Sequence, residues 1–244
     1  MKKNLLKEKL QKRGGENKMK KLIIAMIVLA FVISMNVQAV QAVPIPPDPK
    51  PTTPYLWLSD GTNSVLVTDN GVGDLDPTLG KIVLVNLGLG IWNSNIDIGY
   101  TKPFIGSAQS PEMDLQFGNS SSAAGTLWIW FVDSGFDFTG GLSSDVGGTL
   151  AGGTTGTIDF WKVIDYQTFI NHLSFIGSGS FSGTTGSNVS LDPTNSLGIL
   201  MELTHNGAGI TTGNDYNSVP EPGVLVLLGS GLLGLAFYAR RRKK

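Results

Sequence analysis

The chain has no cysteine and only two histidines among its 244 residues. The lack of cysteine excludes disulfides, a thiol nucleophile and a cysteine-ligated zinc site. His172 and His205 each stand among Asn and Thr, and two histidines without cysteine do not make a tight transition-metal site. We therefore predict that both histidines are surface or capping residues, that the chain holds no cofactor and that it is not an enzyme.

Basic residues are scarce in the middle of the chain. Of the 18 lysines and arginines, nine precede Leu22 and five follow Ala239. Residues 43–218 keep four lysines against 16 of the 19 acidic residues, which gives this region a net charge of −12. The four are Lys50, Lys81, Lys102 and Lys162. Such a surface repels nucleic acid and anionic lipid, and it is compatible with divalent cations or neutral sugars.

An uncharged apolar segment followed by a basic cluster stands near the C-terminus. Residues 223–239 would form a helix of roughly 25 Å, slightly short of a hydrocarbon core of about 30 Å. Tyr238 and the basic side chains that follow can make up the difference at the interface. We predict that this segment is one transmembrane helix and that the basic cluster stays cytoplasmic. The cluster consists of Arg240, Arg241, Arg242, Lys243 and Lys244.

A short Pro-rich motif precedes the apolar segment. It consists of Val219, Pro220, Glu221, Pro222 and Gly223. The two prolines favour an extended backbone, which suits a peptide that must lie in an enzyme's cleft. A plain membrane anchor with a Pro-rich stop before it is the alternative. Three glycines of the apolar segment fit the dinucleotide-binding pattern G-x-G-x-x-G, but that pattern needs a preceding strand and a later acidic residue, so we discard it. They are Gly229, Gly231 and Gly234.

The order of these parts carries a family resemblance. The Val-Pro-Glu-Pro-Gly motif, the Leu-rich segment with Gly229-Ser230-Gly231 and the terminal arginines resemble the PEP-CTERM sorting domain. The resemblance implies a Gram-negative bacterium that makes exopolysaccharide, and an exosortase as partner. It also implies that the tail is cut near the motif and that the mature protein is released or transferred outward. The chemistry then belongs to the exosortase, and this chain is its substrate.

The N-terminal region predicts export. Residues 19–42 combine a basic start, an apolar centre and small residues at the cut, which is typical of a signal peptide removed by signal peptidase; cleavage after Ala42 or after Ala39 fits equally well. Residues 1–18 are basic and polar, and we interpret Met19 as the true start; a long charged leader is the alternative. Residues 43–54 are Pro-rich and predict an extended, flexible arm.

Residues 55–218 predict an all-β ectodomain. Short β-rich runs alternate with Gly, Asn, Asp and Ser, which favours a β-sandwich, with a jelly roll as one candidate topology. The predicted strands are 55–59, 64–68, 81–87, 92–100, 113–117, 126–132, 157–164, 174–176 and 198–204. The run 126–132 is continuously apolar and predicts a central strand. Residues 140–156 and 177–186 are interpreted as loops or weak edge strands, and residues 166–173 as a candidate helical turn.

The ectodomain also resembles, loosely, those of other PEP-CTERM proteins. The matching stretches are 59–65, 68–71, 73–77 and 203–209. The resemblance implies a secreted β-rich protein of unassigned activity, and it supplies no catalytic residues.

Three groups of residues are candidates for binding or chemistry. The oxygen-rich loop from Asp69 to Asp76 could hold Ca²⁺, although turn chemistry explains it equally and its spacing is not that of an EF-hand. Two carboxylate pairs could serve a glycoside hydrolase, with turn roles as the alternative. They are Asp133 with Asp137, and Asp159 with Asp165. The tryptophans could form a sugar-stacking platform, but core packing is the favoured interpretation. They are Trp57, Trp92, Trp128, Trp130 and Trp161, and the pattern puts Trp128 and Trp130 on one face.

These observations lead to one functional hypothesis and two alternatives. The sequence predicts an exported, non-enzymatic protein of the cell surface or extracellular matrix, associated with exopolysaccharide or biofilm and anchored in the inner membrane before processing. The first alternative is a carbohydrate-binding module with a Ca²⁺-stabilised loop. The second is a secreted hydrolase that uses the aspartates.

Overall fold

A computed structural model describes residues 42–48, 50–152, 154–165 and 167–219. Twelve strands and no helix occur within these ranges. The strands are β1 Tyr55–Ser59, β2 Ser64–Thr68, β3 Lys81–Leu89, β4 Trp92–Tyr100, β5 Glu112–Ser121, β6 Gly125–Ser134, β7 Phe138–Ala151, β8 Gly156–Ile164, β9 Thr168–Gly177, β10 Gly179–Leu191, β11 Ser196–His205 and β12 Gly209–Ser218. The predicted all-β class is confirmed for this part of the chain, in which no membrane-spanning helix is found.

The strands form two antiparallel six-stranded sheets packed as a sandwich. Sheet A has the order β2-β1-β6-β11-β8-β9, and sheet B has the order β10-β7-β12-β5-β4-β3. Successive strands often lie in different sheets, as at β5–β6, β6–β7 and β7–β8. The first and last strands of the domain are thereby tied into different sheets.

Strand β6 shows why the sequence folds as a sandwich. Leu127, Ile129 and Phe131 point inward and join the core between the sheets. Trp128 and Trp130 point to the opposite face of sheet A, as the alternation predicts. Both faces are buried, so the strand reads as a continuous apolar run. It lies between β1 and β11, which confirms the prediction of a central strand.

The predicted strands are confirmed along most of the ectodomain. The bounds of β1, β2 and β4 agree with prediction, and the other predicted strands extend by one to six residues at one or both ends. A β-bulge between Ser94 and Ile96 explains the uneven alternation of β4. Beyond the bulge Asp97 points inward while Ile96 is 45% exposed. A bulge shifts the phase of a strand by one residue, and here it exchanges an apolar side chain for a buried carboxylate.

The helical turn predicted for residues 166–173 is wrong. Thr168 begins strand β9, which pairs with β8 through Ile164. Thr168, Phe169 and Ile170 are β-branched or aromatic, and they favour a strand once a neighbouring strand supplies backbone partners.

The Gly-rich segments form the longest strands. Strands β7 and β10 pair along their full length, from Gly179 with Leu150 to Leu191 with Phe138. At Gly148 an added Cβ would collide with the carbonyl oxygen of Thr212 in β12, so glycine permits close approach of these backbones. Strand β12, which the sequence did not predict, pairs with both β5 and β7.

The Pro-rich arm is extended and contacts the sandwich. Tyr55 Oη donates a hydrogen bond to the carbonyl oxygen of Asp48 at 2.7 Å. Ser134 Oγ donates to the carbonyl oxygen of Pro51, and Lys50 Nζ lies 3.5 Å from Asp165 Oδ2. The described part of the arm therefore lies against the end of sheet A at which β1 begins.

The sandwich has two ends, which we name by the strand ends they carry. The exit end contains the last residue of β12, Ser218, together with the paired first residue of β5, Glu112. The far end contains the last residue of β11, His205, and the paired first residues of β6 and β8. The described part of the arm and the last described residue, Val219, both lie at the exit end.

Candidate functional site

The sorting motif follows the sandwich without an intervening linker. Strand β12 ends at Ser218, and Val219 is partly buried and packs against the core between the sheets. The other residues of the predicted sorting signal lie outside the described residues: Pro220, Glu221, Pro222, Gly223 and Arg240 to Lys244, with the three glycines of the discarded dinucleotide pattern. The same is true of residues 1–41, which include all but the last residue of the predicted signal peptide.

Sheet A carries a row of aromatic side chains on its outer face. Pairing places Trp57 beside Trp130, then Leu200, then Trp161 and finally His172. At about 4.8 Å per strand the row extends roughly 19 Å across five strands. Trp128 lies one step along β6 on the same face, level with Glu202 and Asp159.

Burial differs along this aromatic row. Trp57 is 7% exposed and Trp130 is 1% exposed, and Val43 of the arm packs against this cluster. Trp161 is half-buried, and the side chain of His172 is 49% exposed. The prediction that the tryptophans are buried holds for Trp57, Trp128 and Trp130, but on the outer face of sheet A; Trp92 is the one that lies in the core between the sheets. The sequence pattern could not distinguish these two buried faces.

Polar groups border the accessible end of the row. The rings of Trp161 and His172 stack with centroids 4.8 Å apart and planes 2° apart. His172 Nε2 lies 2.8 Å from Asp159 Oδ1, and Asp159 pairs in register with Glu202. Burial raises the pKa of the Glu202 carboxyl, and the nearby Asp159 raises it further. His172 is a surface residue, as predicted.

The loop from Asp69 to Asp76 is held by its own carboxylates. Asp69 Oδ2 accepts a hydrogen bond from Gly80 N at 2.8 Å, and Asp74 Oδ1 accepts one from Val83 N at 3.0 Å. Asp76 Oδ2 lies 2.7 Å from Lys81 Nζ, a hydrogen bond that lowers the pKa of Asp76 to about 2. Turn and strand contacts thus account for these residues. Within the described ranges no group of three His, Asp or Glu could hold a metal ion.

The candidate carboxylate pairs belong to separate networks. Asp133 is buried, and its Oδ2 accepts hydrogen bonds from Thr101 Oγ1 and Lys102 Nζ, each at 2.7 Å. It lies beside a cleft at the exit end that Pro54 and Leu79 also line. Its predicted partner Asp137 is fixed through the backbone, since its N–H donates to the carbonyl oxygen of Ala108 at 2.8 Å.

Asp159 and Asp165, the second candidate pair, also have different hydrogen-bond partners. Asp159 bonds to His172 on the outer face of sheet A. Asp165 accepts hydrogen bonds from Ser196 N at 2.7 Å and Asn195 Nδ2 at 2.9 Å, which lower its pKa. These aspartates have structural partners of their own.

The prediction that His205 is a surface or capping residue is wrong. His205 is 1% exposed, and its ring lies 4.8 Å from that of Trp92. Its Nδ1 is 2.7 Å from Ser121 Oγ, and its Nε2 is 2.7 Å from Thr211 Oγ1. Burial lowers the pKa of His205 to about 4, so the ring is neutral at pH 7. Alternation along β11 places position 205 inward, which is the sequence signal that could have revealed it.

The Ser121–His205 contact joins the two sheets. Ser121 belongs to β5 of sheet B, and His205 belongs to β11 of sheet A. A catalytic triad needs an acid on the second ring nitrogen, and here that position holds the hydroxyl of Thr211. Ser121 Oγ is also bonded to the carbonyl oxygen of Gly207 at 3.2 Å. The contact is best explained as a structural link.

Three further buried ionisable groups, Asp97, Asp215 and Lys162, were not recognised as buried from the sequence. Burial raises the pKa of Asp97 to about 6; its carboxylate accepts hydrogen bonds from Ser94 Oγ at 2.5 Å and Asn119 Nδ2 at 2.8 Å. Burial also raises the pKa of Asp215 to about 7, and it lowers that of nearby Lys162 to about 8. Lys162 Nζ donates to the carbonyl oxygen of Leu142 at 3.3 Å. These groups lie between the sheets, where they serve the fold.

The fold and the position of the tail describe a β-sandwich followed directly by a C-terminal sorting region. A family model of the PEP-CTERM protein-sorting motif matches residues 218–243. The chain is a PEP-CTERM domain-containing protein and, by that signal, an exosortase substrate. The signal implies an exported, membrane-anchored precursor that is processed to the cell surface. No curated protein matches the sequence.

Several solved β-structures share a distant likeness in shape. One is described as a carbohydrate-binding module of the β-sandwich superfamily, at 14% identity and TM-score 0.33, over 68% of this chain and 72% of that chain. Another is the C-terminal CBM6 domain of LamC from Zobellia galactanivorans, at 11% identity and TM-score 0.27, over 57% and 98%. Broad Bean Stain Virus matches at 10% identity and TM-score 0.32, over 74% and 91%. Similarities this low do not bear on function.

Proposed function

We propose that this protein is a non-enzymatic component of the cell surface or of an exopolysaccharide or biofilm matrix. In this proposal residues 19–42 direct export and are removed by signal peptidase. Residues 223–239 hold the precursor in the inner membrane, with the basic cluster 240–244 in the cytoplasm. The exosortase then cuts near the motif 219–223. The single observation that carries the proposal is the sorting motif matched at residues 218–243, which begins where β12 ends.

The ectodomain supports a structural or binding role. Its repeated exchange of strands between two sheets supports a jelly-roll-like topology. The aspartates that could have served hydrolysis have structural partners: Lys102 for Asp133, His172 for Asp159 and Ser196 for Asp165. The net charge of −12 over residues 43–218 favours a neutral matrix over an anionic one.

Intact mass tests the proposal directly. The protein would be recovered from the medium and the outer membrane of cells with and without the exosortase. We expect a species that starts near Val43 and ends near the motif 219–223, and that disappears when the exosortase is absent. A species that retains Lys244 in both strains would show that the tail is a simple anchor.

Carbohydrate binding is the second candidate function, and the aromatic row on sheet A favours it. Flat aromatic rings present apolar faces, and pyranose rings can stack on such faces. Trp161 and His172 form the more accessible end of the row, and Asp159 and Glu202 beside them are hydrogen-bond acceptors. We propose that a neutral glycan would bind at this end. The ring stacking needs no metal ion.

Binding of the mature chain to the organism's own polysaccharide tests this second candidate. We expect Trp161→Ala to weaken binding about 2- to 10-fold, which corresponds to roughly 0.5–1.5 kcal/mol for one aromatic contact. Phe104→Ala is the matched control, because Phe104 is an exposed aromatic residue of a loop at the exit end. Equal binding by both variants would exclude the aromatic row as the glycan site.

A further inference from the structure

The chain leaves the folded domain very close to the predicted membrane segment. Strand β12 pairs with its neighbours up to Ser218, and Val219 packs against the core. Five Cα–Cα steps separate Ser218 from Gly223, where the uncharged segment begins. A fully extended chain spans at most about 3.3–3.6 Å per residue, so this spacer reaches no more than roughly 18 Å.

The exit end projects beyond the point at which the chain leaves it. Ser218 pairs with Ser143 of β7, and β7 extends five residues further in the same direction, to Phe138. At about 3.3 Å per residue this projection is roughly 16 Å. The fully extended spacer exceeds this projection by only about 2 Å, so the exit end of the domain stays close to a membrane that contains residues 223–239.

Exposed apolar side chains lie on the loops of this same end. The β2–β3 connection carries Val72, Leu75 and Leu79, which are 99%, 63% and 62% exposed. The β4–β5 connection carries Phe104, which is 49% exposed. Pairing of Lys81 with Tyr100 places the ends of both connections at the exit end. These four side chains are exposed on loops of the same end, and exposed apolar patches are typical of interaction sites.

The charges on these loops are restrained by partners. Asp76 pairs with Lys81 at 2.7 Å, and Asp133 pairs with Lys102 at 2.7 Å. Asp74 accepts backbone hydrogen bonds from Asn70, Asp76 and Val83 at 2.9–3.0 Å. The two ion pairs offset charge beside the apolar residues, and the hydrogen bond from Val83 N to Asp74 ties the β2–β3 connection to strand β3.

We propose that the exit end of the precursor rests on the bilayer and inserts Val72, Leu75, Leu79 and Phe104 into its interface. The occupant of this apolar surface is the lipid around residues 223–239. The inference rests on the proposed function, because it requires that segment to cross the membrane. The contact keeps the motif 219–223 at the membrane surface, where an integral-membrane exosortase can reach it. Cleavage of the tail leaves the loops as the remaining attachment.

Site-specific fluorescence tests the proposal without interference, because the chain has no native cysteine. Val72→Cys and Ile176→Cys would each be labelled with a polarity-sensitive dye in the full chain, reconstituted in phosphatidylcholine vesicles. Ile176 is the matched control, since it is 83% exposed and adjoins the β9–β10 turn at the far end. We expect a blue shift and quenching by brominated lipid at position 72, and neither at position 176.

Flotation with the vesicles distinguishes the proposed transmembrane tail from the proposed membrane contact of the loops. A chain that floats but shows the same emission at both positions would overturn membrane contact and leave the transmembrane tail intact. The same result would favour a protein surface, such as the exosortase, as the partner of these loops. A chain that does not float would overturn both the transmembrane tail and the contact. A triple variant, Val72→Ser with Leu75→Ser and Leu79→Ser, should float normally and lose the blue shift of a dye attached at Phe104→Cys.

Discussion

The two faces of sheet A are both apolar, yet they differ in kind. The inner face supplies aliphatic and Phe side chains, such as Ile129 and Phe131, to the core between the sheets. The outer face supplies Trp57, Trp128 and Trp130, with the half-buried Trp161 next to them. The inner face is closed by sheet B, whereas the outer face ends in the exposed ring of His172. The difference indicates that the inner face stabilises the domain, whereas the outer face remains accessible to solvent at one end.

Truncation of the inner face should have the largest effect. Phe131 is fully buried, and it faces Gly99 of the opposing sheet. We expect Phe131→Ala to lower the free energy of unfolding by about 3–5 kcal/mol, from lost transfer energy and the cavity it leaves. Urea denaturation of the mature domain measures this. A loss below that of Trp161→Ala would contradict the assignment of stability to the inner face.

Adding a methyl group at the contact between Gly99 and Phe131 should have an intermediate effect on stability. A Cβ added at Gly99 would lie 2.6 Å from Cε2 of Phe131, closer than side chains tolerate. We expect Gly99→Ala to destabilise the domain by about 1–3 kcal/mol, because the core must shift to admit the methyl group. The double variant with Phe131→Leu should recover part of this loss in the same denaturation experiment.

His205 should make stability depend on pH. Its folded pKa, about 4, lies below the ordinary 6.5, so its contribution is complete above pH 6.5 and is lost as the pH falls toward 4. We expect wild-type minus His205→Gln stability to decrease over this window by roughly 1–3 kcal/mol. The buried carboxyls of Asp97 and Asp215 act in the opposite direction, since their raised pKa values remove stability as the pH rises toward 6–7. Subtracting the stability of His205→Gln from that of the wild type removes the effect of the two carboxyls and isolates His205. A stability difference that does not change with pH would contradict the burial of His205.

The exposed histidine should matter least for folding. His172 pairs with Asp159 at 2.8 Å while its side chain is 49% exposed. Exposed ion pairs contribute about 0–1 kcal/mol, so we expect His172→Gln to change the free energy of unfolding by no more than that. The same urea titration provides the measurement, and a loss comparable with that of Phe131→Ala would show that the outer face also carries the fold.

The sequence predicted those strands whose own residues are distinctive. The run from Leu127 to Val132 is apolar without interruption, and it forms the central strand. Residues 140–156 and 177–186 were interpreted as loops or weak edge strands because they are rich in Gly, which is depleted in strands. Strand β10 is an edge strand of sheet B, whereas β7 lies between β10 and β12. Their long mutual pairing supplies what the local sequence lacks.

The candidate sites show the same limit: the sequence identified residue types, but not how distant strands arrange them. The aromatic residues were recognised as candidates, but their order across sheet A depends on pairing between β1, β6, β11, β8 and β9. His205 was misjudged because its partners, Ser121 and Thr211, lie on two strands of the other sheet. Alternation along β11 indicates an inward position only after the bounds of that strand are known.

The sequence by itself identified the C-terminal sorting signal, because that signal is a linear arrangement of motif, apolar segment and basic cluster that keeps its meaning without a fold. The tertiary structure alone decided which tryptophans line the outer face, that His205 is buried, and that both the β2–β3 loop and Ser218 belong to one end of the sandwich. These properties depend on contacts between residues far apart in the chain, and burial and proximity arise only when distant strands pair.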